Sequence, residues 1–224
     1  MAFNVAIDGP AGAGKSTIAK MIAKKMEYIY VDTGAMYRAM ALYLIRNHVD
    51  ASNQEEISKV CKEADITIAY DHGEQLVLLN GENVNGLIRT EEVGNMASAS
   101  SGNGDLRKKL VSLQQKLAAS EDVIMDGRDI GTCVLPQAEV KIYLVANSHI
   151  RARRRYDELV AKGIESDLAQ IEADIVKRDK QDMTRTISPL KQAHDAVLVD
   201  SSDMSIEEVV TCIMDICEKR KRRD

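Results

Sequence analysis

Short apolar segments alternate with longer amphipathic stretches along most of the chain. The apolar segments are rich in Val, Ile or Tyr, which is the pattern of strands that are buried on both faces of a parallel sheet. We expect five such strands, at Phe3–Asp8, Tyr28–Val31, Asp122–Asp126, Val140–Val145 and Ala196–Val199.

The stretches between these segments have the spacing of helices. The expected helices are Lys15–Met26, Gly34–Asn47, Asp105–Ser120, Ser148–Lys162, Asp167–Asp182 and Ser205–Arg220. Alternating strands and helices predict a doubly wound α/β fold with a five-stranded parallel sheet flanked by helices. The sequence contains no internal repeat and no linker, so we expect one domain over residues 1–224.

One region departs from this alternation. Three short segments read as strands, at Ile66–Tyr70, Gln75–Leu79 and Glu82–Val84. The turn signals Asp71-His72-Gly73 and Asn80-Gly81 separate them. We therefore predict a small antiparallel β insertion over residues 65–93.

The bulk composition is that of a soluble globular protein. Hydrophobic residues make up 45% of the chain, but no run of about eighteen of them exists, so no membrane span is expected. The N-terminus lacks the layout of a signal peptide. The cysteines, at 61, 133, 212 and 217, form no C-x-x-C pair, so neither a zinc site nor a disulfide framework is indicated. These features predict a reduced cytoplasmic protein.

The net charge of −5 argues against a general nucleic-acid binder, which would usually be basic. An anionic ligand must then be held by a local cluster of cations. The basic run from Lys219 to Arg223 is interpreted as a solvated helix end.

A glycine-rich segment follows the first predicted strand and matches G-x-x-x-x-G-K-[ST], the phosphate-binding P-loop. It consists of Gly9, Pro10, Ala11, Gly12, Ala13, Gly14, Lys15 and Ser16, and we include the next residue, Thr17, among the expected ATP contacts. Backbone N–H groups in such a loop cradle phosphate oxygens, and the helix that follows adds its positive dipole end. Lys15 would reach the β- and γ-phosphates and Ser16 would ligate Mg²⁺.

The rest of the chain favours a small-molecule kinase among P-loop proteins. The N-K-x-D signature of GTPase switches is absent from the sequence. The segment Val123–Asp126 ends an apolar strand in an acid, as a Walker B strand does. Asp126 is either a metal partner through water or a buried structural aspartate.

Several arginines recur where strands are expected to end, which suits an acceptor that is itself a phosphate. Arg38 follows Asp32-Thr33-Gly34, where Thr33 would cap the next helix, and Arg128 and Asp129 follow the third strand. Arg178, Asp182 and Arg185 have i, i+4, i+7 spacing and would share one helix face if the helix runs that far.

The chain resembles the bacterial cytidylate kinases, within the nucleoside monophosphate kinases. The resemblance lies in I-D-G-P-A-G-A-G-K-S, V-D-T-G-A-M-Y-R, N-G-E-N-V-N-G-L-I-R-T, D-G-R-D-I-G-T-C-V-L-P and R-D-K-Q-D-M-T-R-T-I-S-P-L, which span residues 7–190. It implies a P-loop NTPase fold, an insertion on the monophosphate-binding side and a helical lid. It also implies transfer of the γ-phosphate of MgATP to CMP, and to dCMP. We expect a monomer.

The same resemblance implies roles for individual residues. Lys15, Arg128 and Arg185 would be catalytic, and Arg38, Arg128 and Arg185 would hold the monophosphate. The residues expected near the sugar, the base or the acceptor are Arg178 and Asp182, then Asp129, Ser98 and Arg107, and Thr33, with Ser100 as an alternative to Ser98. An acid facing the cytosine N4 amino group would distinguish cytosine from uracil, which presents an acceptor there.

A cluster of arginines begins the helix after the fourth strand. Arg151, Arg154 and Arg155 share a face by their spacing, so we predict that they contact ATP from a lid over residues 148–166; the alternative is a solvated charged face. Other readings of the whole chain stay open. They are a P-loop kinase for UMP, AMP or shikimate, and a nucleotide-binding switch without phosphotransfer.

Overall fold

The computed structural model describes residues 2–222 and forms a five-stranded sheet with flanking helices. Its strands are β1 (Asn4–Asp8), β2 (Ile29–Asp32), β6 (Val123–Gly127), β7 (Val140–Val145) and β8 (Val197–Asp200). The spatial order is β2-β6-β1-β7-β8, and β1 and β8 each pair with β7 in parallel. The predicted α/β P-loop fold with a parallel sheet is therefore confirmed, and each predicted strand agrees to within one residue at either end.

The helices are α1 (Lys15–Met26), α2 (Thr33–Arg46), α3 (Gln54–Val60), α4 (Glu91–Ser100), α5 (Gly104–Ser120), α6 (Ser148–Ala161), α7 (Leu168–Thr184) and α8 (Ile206–Lys221). The sequence reading missed α3 and α4. Each is preceded by a residue whose side chain caps the helix, Asn53 for α3 and Thr90 for α4. A five-residue π-helix, Ile130–Val134, follows β6 and was also missed.

A separate three-stranded antiparallel sheet lies between α3 and α4. Its strands are β3 (Ile66–Asp71), β4 (Glu74–Leu79) and β5 (Glu82–Asn83), in the order β3-β4-β5. His72 and Asn80, in the two turns, have left-handed backbone angles, as tight hairpins require. The antiparallel strands are as expected, but the end of the predicted insertion overlaps α4, which starts at Glu91.

Burial explains why the central strands are apolar throughout. Val5, Ala6 and Ile7 of β1 are fully buried, as are Ile124 and Met125 of β6. β8 lies at the edge of the sheet, and Leu198 there is 55% exposed.

Contacts within the chain define two compact units. The first comprises residues 3–28 and those from 124 onward, and the second comprises residues 29–123. Among the described residues, no helix is both long enough and apolar enough to cross a bilayer.

The basic end of α8 is exposed, and its Lys221 also contacts two aromatic rings. The Lys221 ammonium lies 4.8 Å from the ring centre of Tyr28 and 5.3 Å from that of Phe3. The basic residues 219–222 are all exposed, so this cation–π contact agrees with the expected solvated helix end. Arg223, the last basic residue of the run, lies outside the described residues.

Candidate active site

The P-loop has the backbone that a phosphate cradle needs. Gly12 and Gly14 adopt positive φ angles of 76° and 86°, which side chains rarely tolerate. A Cβ atom on Gly9 would lie 2.0 Å from the carbonyl oxygen of Leu144, so only glycine fits there. Gly14 is the N-cap of α1, so the exposed N–H groups at the start of this helix belong to the loop.

Lys15 is buried at the start of α1, and its ammonium donates a hydrogen bond to the Pro10 carbonyl at 2.8 Å. Burial lowers the pKa of Lys15 to about 7, and the positive charge of Arg128 lowers it further, against the opposing effect of Asp126 and Asp8. A buried lysine beside an arginine is an arrangement that an anion would stabilise.

Ser16 is linked to the end of β6. Its hydroxyl donates a hydrogen bond to Asp126 Oδ2 at 2.9 Å, and Asp126 is buried. A hydroxyl after the P-loop lysine and an acid at the end of a neighbouring strand are the protein groups that hold Mg²⁺ in P-loop enzymes. The role of Asp126 as a metal partner stays a prediction.

Four of the predicted acceptor residues lie together in the first unit. Arg128 Nε donates to Asp182 Oδ2 at 2.9 Å, and Arg185 Nη1 lies 3.9 Å from Asp182 Oδ1. Arg185 Nη2 also lies 3.6 Å from Asp129 Oδ1. Arg185 follows the last residue of α7 and has an extended backbone, so it reaches this cluster from the end of the helix and not from its face.

Arg178 belongs to the same neighbourhood. Burial lowers its pKa from the ordinary value, and the charge of Arg128 adds to this, while Asp182 and Asp179 act in the opposite sense. Its Nε atom is buried and has no hydrogen-bond partner within the described chain. Arg128 and Arg185 therefore contact Asp182, and Arg178 interacts with it through charge.

The guanidinium groups of the three predicted lid arginines bind different parts of the protein. Arg151 is buried and binds three groups of the protein: the Ala146 carbonyl, the Ala11 carbonyl of the P-loop at 2.9 Å, and Asp179 at 2.6 Å. Arg154 Nη2 donates to the Ser201 carbonyl at 2.7 Å. Arg155 is exposed and pairs with Glu158 on its own helix. Their spacing predicted a common direction, but each guanidinium has found a different partner, and contacts of these side chains with ATP remain a prediction.

The second unit contains its own pair of arginines around a buried acid. Asp32 accepts a hydrogen bond from Arg89 Nη2 at 2.7 Å and lies 3.6 Å from Arg38 Nη2. Burial alone would raise the pKa of Asp32, but Arg38, Arg89 and the Ala35 N–H lower it below the ordinary value. Asp32 is also the N-cap of α2, so the expectation that Thr33 caps this helix is wrong; Thr33 is its first residue and is buried.

Two residues of this unit were not identified from the sequence. Arg89 stands in the N-G-L-I-R-T motif but has no local pattern that marks it as a partner of Asp32. Tyr37 lies under the Arg107 guanidinium, 5.5 Å from ring centre to Cζ. Arg107 is buried, and its Nη1 donates to the Ser101 carbonyl at 3.2 Å.

The two candidate serines differ in exposure. Ser98 on α4 is partly exposed. Ser100 is buried, and its hydroxyl donates to the Met96 carbonyl at 2.7 Å, within the same helix. The contact of either serine with a ligand stays a prediction.

Comparison with known proteins identifies the family. Residues 5–219 match the cytidylate kinase family model. The cytidylate kinase of Caldicellulosiruptor saccharolyticus is 50% identical over 217 residues, which cover 97% of this chain and 96% of that protein. The cytidylate kinase of Lactobacillus gasseri is 49% identical over 220 residues, covering 98% and 96% respectively.

Solved structures share the fold at low sequence identity. A shikimate kinase from Bacteroides thetaiotaomicron is similar with a TM-score of 0.50 and 12% identity, covering 96% of this chain and 98% of that one. An uncharacterized protein from Eubacterium ventriosum has a TM-score of 0.54 and 11% identity, covering 98% and 99%. These likenesses show the P-loop kinase fold, whereas the nearly full-length sequence matches show the family. The chain therefore belongs to the cytidylate kinase family and is a nucleoside monophosphate kinase that acts on CMP.

Proposed function

We propose that this kinase transfers the γ-phosphoryl group of MgATP to CMP and to dCMP, giving ADP with CDP or dCDP, and that it does so as a monomer. The observation that supports this most is the buried Lys15 of the P-loop, whose pKa is lowered to about 7 by burial and by the charge of Arg128. Anionic phosphates would offset the free-energy cost of burying these cations and would reduce their mutual repulsion.

On the donor side, the P-loop amides and Lys15 would bind the phosphates of ATP. The Lys15 ammonium now donates to the Pro10 carbonyl, a bond that it can exchange for phosphate oxygens at little cost. Mg²⁺ would be held by Ser16, with Asp126 beside it, and would neutralise charge on the β- and γ-phosphates. No cluster of three or more metal-binding acids, histidines or cysteines occurs in residues 2–222, which suits an ion that takes most of its ligands from phosphates and water.

On the acceptor side, Arg128 and Arg185 would hold the monophosphate and Arg178 and Asp182 would face the sugar. Their mutual ion pairs fix the guanidinium groups before a ligand arrives, which lowers the entropy lost on binding. We propose the same anion-binding role for Arg38 and Arg89 of the second unit, which share the Asp32 carboxylate. Two cations on one carboxylate leave a net positive charge for a phosphate.

The reaction needs no general base, because the attacking oxygen belongs to a phosphate that is already ionised near neutral pH. The side chains would therefore act by aligning the two phosphates and neutralising charge on the group in transfer. Exclusion of water would prevent hydrolysis of ATP.

We propose that Asp129 reads the cytosine amino group. Asp129 is buried, and a buried acceptor that faces uracil O4 would be left without a donor. Asp129→Ala should therefore reduce the preference for CMP over UMP, measured as the ratio of the kcat/KM values. An unchanged ratio would show that the base is read by other groups, with Ser98 and Arg107 as the remaining candidates.

The test of the proposed function is a coupled assay of ADP release with a panel of acceptors. We expect rapid, acceptor-dependent release with CMP and dCMP and much slower release with UMP, AMP and shikimate. A faster rate with another acceptor would contradict the assignment of CMP and dCMP as substrates. ADP release that no acceptor stimulates would favour a nucleotide-binding switch without phosphotransfer. Gel filtration with light scattering during turnover would check the monomer; a stable dimer would contradict it.

A further inference from the structure

Asp8 joins two segments that are far apart in sequence. It is the last residue of β1, directly before Gly9 of the P-loop, and its side chain is buried. One carboxylate oxygen accepts a hydrogen bond from the Ile130 N–H at 2.7 Å, and the other accepts one from the Gly131 N–H at 2.7 Å. Asp8 is thus the direct link between the P-loop strand and the segment Arg128–Gly131, which we call the acceptor loop.

The two N–H groups that Asp8 binds open the π-helix Ile130–Val134. Donors in the first turn of a helix have no partner within it and must be satisfied from outside. Asp129, the N-cap residue, makes no side-chain capping bond here. The carboxylate of Asp8 therefore caps this helix from another part of the chain, and it uses both of its oxygens to do so.

This arrangement is costly for an acid. Burial raises the pKa of Asp8 to about 6, in spite of the two backbone hydrogen bonds, and the charge of Asp129 adds to the increase while Lys15 opposes it. A buried carboxylate between a catalytic lysine and a substrate-reading acid is an arrangement that function, more than stability, explains.

The acceptor loop also has little room to move away from Asp8. A Cβ atom on Gly131 would lie 3.2 Å from Cδ of Lys141 and 3.4 Å from Oδ2 of Asp8. The Gly131 peptide is therefore packed against both side chains. A side chain at this position would be a tight fit beside the carboxylate.

We propose that Asp8 is a positioning residue for the phosphate acceptor: by holding Ile130 and Gly131, it sets the place of Arg128 and Asp129. The inference rests on the proposed function, since these two residues immediately precede the bound N–H groups and are the expected contacts for CMP. A displacement of about 1 Å in such a loop is enough to lower turnover about a hundredfold.

Asp8→Asn tests this directly. An amide keeps the shape but has one acceptor oxygen, and its NH₂ group would face the second N–H. We expect kcat/KM for CMP to fall about ten- to a hundredfold, with a higher KM for CMP. The Kd for ATP in the absence of CMP should rise by a smaller factor, because Asp8 also favours the charged form of Lys15. Asp50→Asn is the matched control, because Asp50 also accepts two hydrogen bonds from a following turn but is exposed. It should leave all constants unchanged.

A second variant disturbs the same contact from the other side. Gly131→Ala leaves the Asp8 carboxylate intact but adds a Cβ atom 3.2 Å from Cδ of Lys141 and 3.4 Å from Oδ2 of Asp8, so the contact must adjust by a few tenths of an ångström. We expect a smaller loss that is again selective for CMP, and this variant decides the matter if Asp8→Asn does not fold. The proposal is overturned if folded Asp8→Asn protein, or Gly131→Ala protein in its place, binds and phosphorylates CMP like the wild type. It is also overturned if the variant loses affinity for ATP to the same extent as affinity for CMP. Wild-type protein is assayed alongside to separate the positioning role of Asp8 from the proposed function. A wild type without CMP-dependent turnover would refute the proposed function and not the role of Asp8.

Discussion

The hydroxyl of Ser16 donates a hydrogen bond to the carboxylate of Asp126, with 2.9 Å between Oγ and Oδ2. The two residues lie 110 positions apart in the chain, and the parallel sheet brings them together because both follow or end a central strand. This one bond identifies which acid at the end of a strand belongs with the P-loop.

Asp126→Asn should weaken the response to magnesium. The amide still accepts the Ser16 hydroxyl, so the geometry survives, but the negative charge that favours the metal and its bound water is lost. We expect the Mg²⁺ concentration for half-maximal rate to rise about tenfold or more. A titration of the initial rate with MgCl₂ at a fixed excess of ATP checks this, with Asp50→Asn as the control. A magnesium dependence like that of the wild type would make Asp126 a structural acid.

Gln75 should affect the binding of CMP through Arg38 and Arg89, although it is not expected to contact a nucleotide. Its side-chain amide, on β4, accepts from the Asp32 N–H at 2.7 Å and donates to the Asp32 carbonyl at 3.3 Å. Asp32 in turn caps α2 and pairs with Arg38 and Arg89. Gln75→Ala leaves both buried backbone groups of Asp32 without this partner, which should cost about 1–3 kcal/mol of unfolding free energy.

The kinetic consequence of Gln75→Ala should be selective. Because Arg38 and Arg89 depend on Asp32, we expect a several-fold rise in KM for CMP with KM for ATP nearly unchanged. Gln192→Ala is the comparison, since Gln192 is exposed and donates only to the Ala196 carbonyl. Equal changes in the two KM values would mean that Gln75 stabilises the protein without positioning the acceptor residues.

The titration of Asp8 predicts a pH dependence of stability. The folded pKa is raised from 3.8 to about 6, so between these values the folded protein holds a proton that the unfolded chain releases. Stability from this group is present below the unfolded pKa and is lost as the pH rises through the folded pKa. Lys15, Asp129 and Tyr143 are the charged or titratable neighbours that share this environment.

Urea unfolding of wild type and Asp8→Asn at several pH values measures the contribution of Asp8 to the free energy of unfolding. The difference in unfolding free energy, wild type minus variant, should fall by about 2 kcal/mol from about pH 4.5 to about pH 7.5. A difference that stays constant over this range would show that Asp8 titrates normally.

The main strands and helices were predictable because each buries an apolar face with a clear period. β7 and α1 agree with the prediction residue for residue. α3 and α4 were missed because seven and ten residues hold too little periodic signal, although the caps Asn53 and Thr90 were available as evidence. The π-helix at Ile130 could not be predicted locally, since Asp8, 122 residues away, satisfies its first donors.

The site residues were predictable where phosphate binding fixes the sequence spacing of a motif. They were not predictable where a side chain depends on partners that are distant in the sequence. The P-loop from Gly9 to Ser16 follows from its motif. Arg128, Asp182 and Arg185 were predicted as ligand contacts, but their ion pairs with one another depend on the end of α7. Arg89 and Asp8 act through long-range hydrogen bonds, which leave no pattern in the sequence.

The most direct measurement follows the phosphorus atoms themselves. ³¹P nuclear magnetic resonance of ATP, CMP and Mg²⁺ with the enzyme should show the CMP signal converting into the two signals of CDP, while ATP becomes ADP and no inorganic phosphate accumulates. Lys15→Ala should slow this conversion about a hundredfold or more, since a cation at the transferring group is lost. ATP decay to ADP and inorganic phosphate with CMP unchanged, or a Lys15→Ala variant as fast as the wild type, would contradict the account.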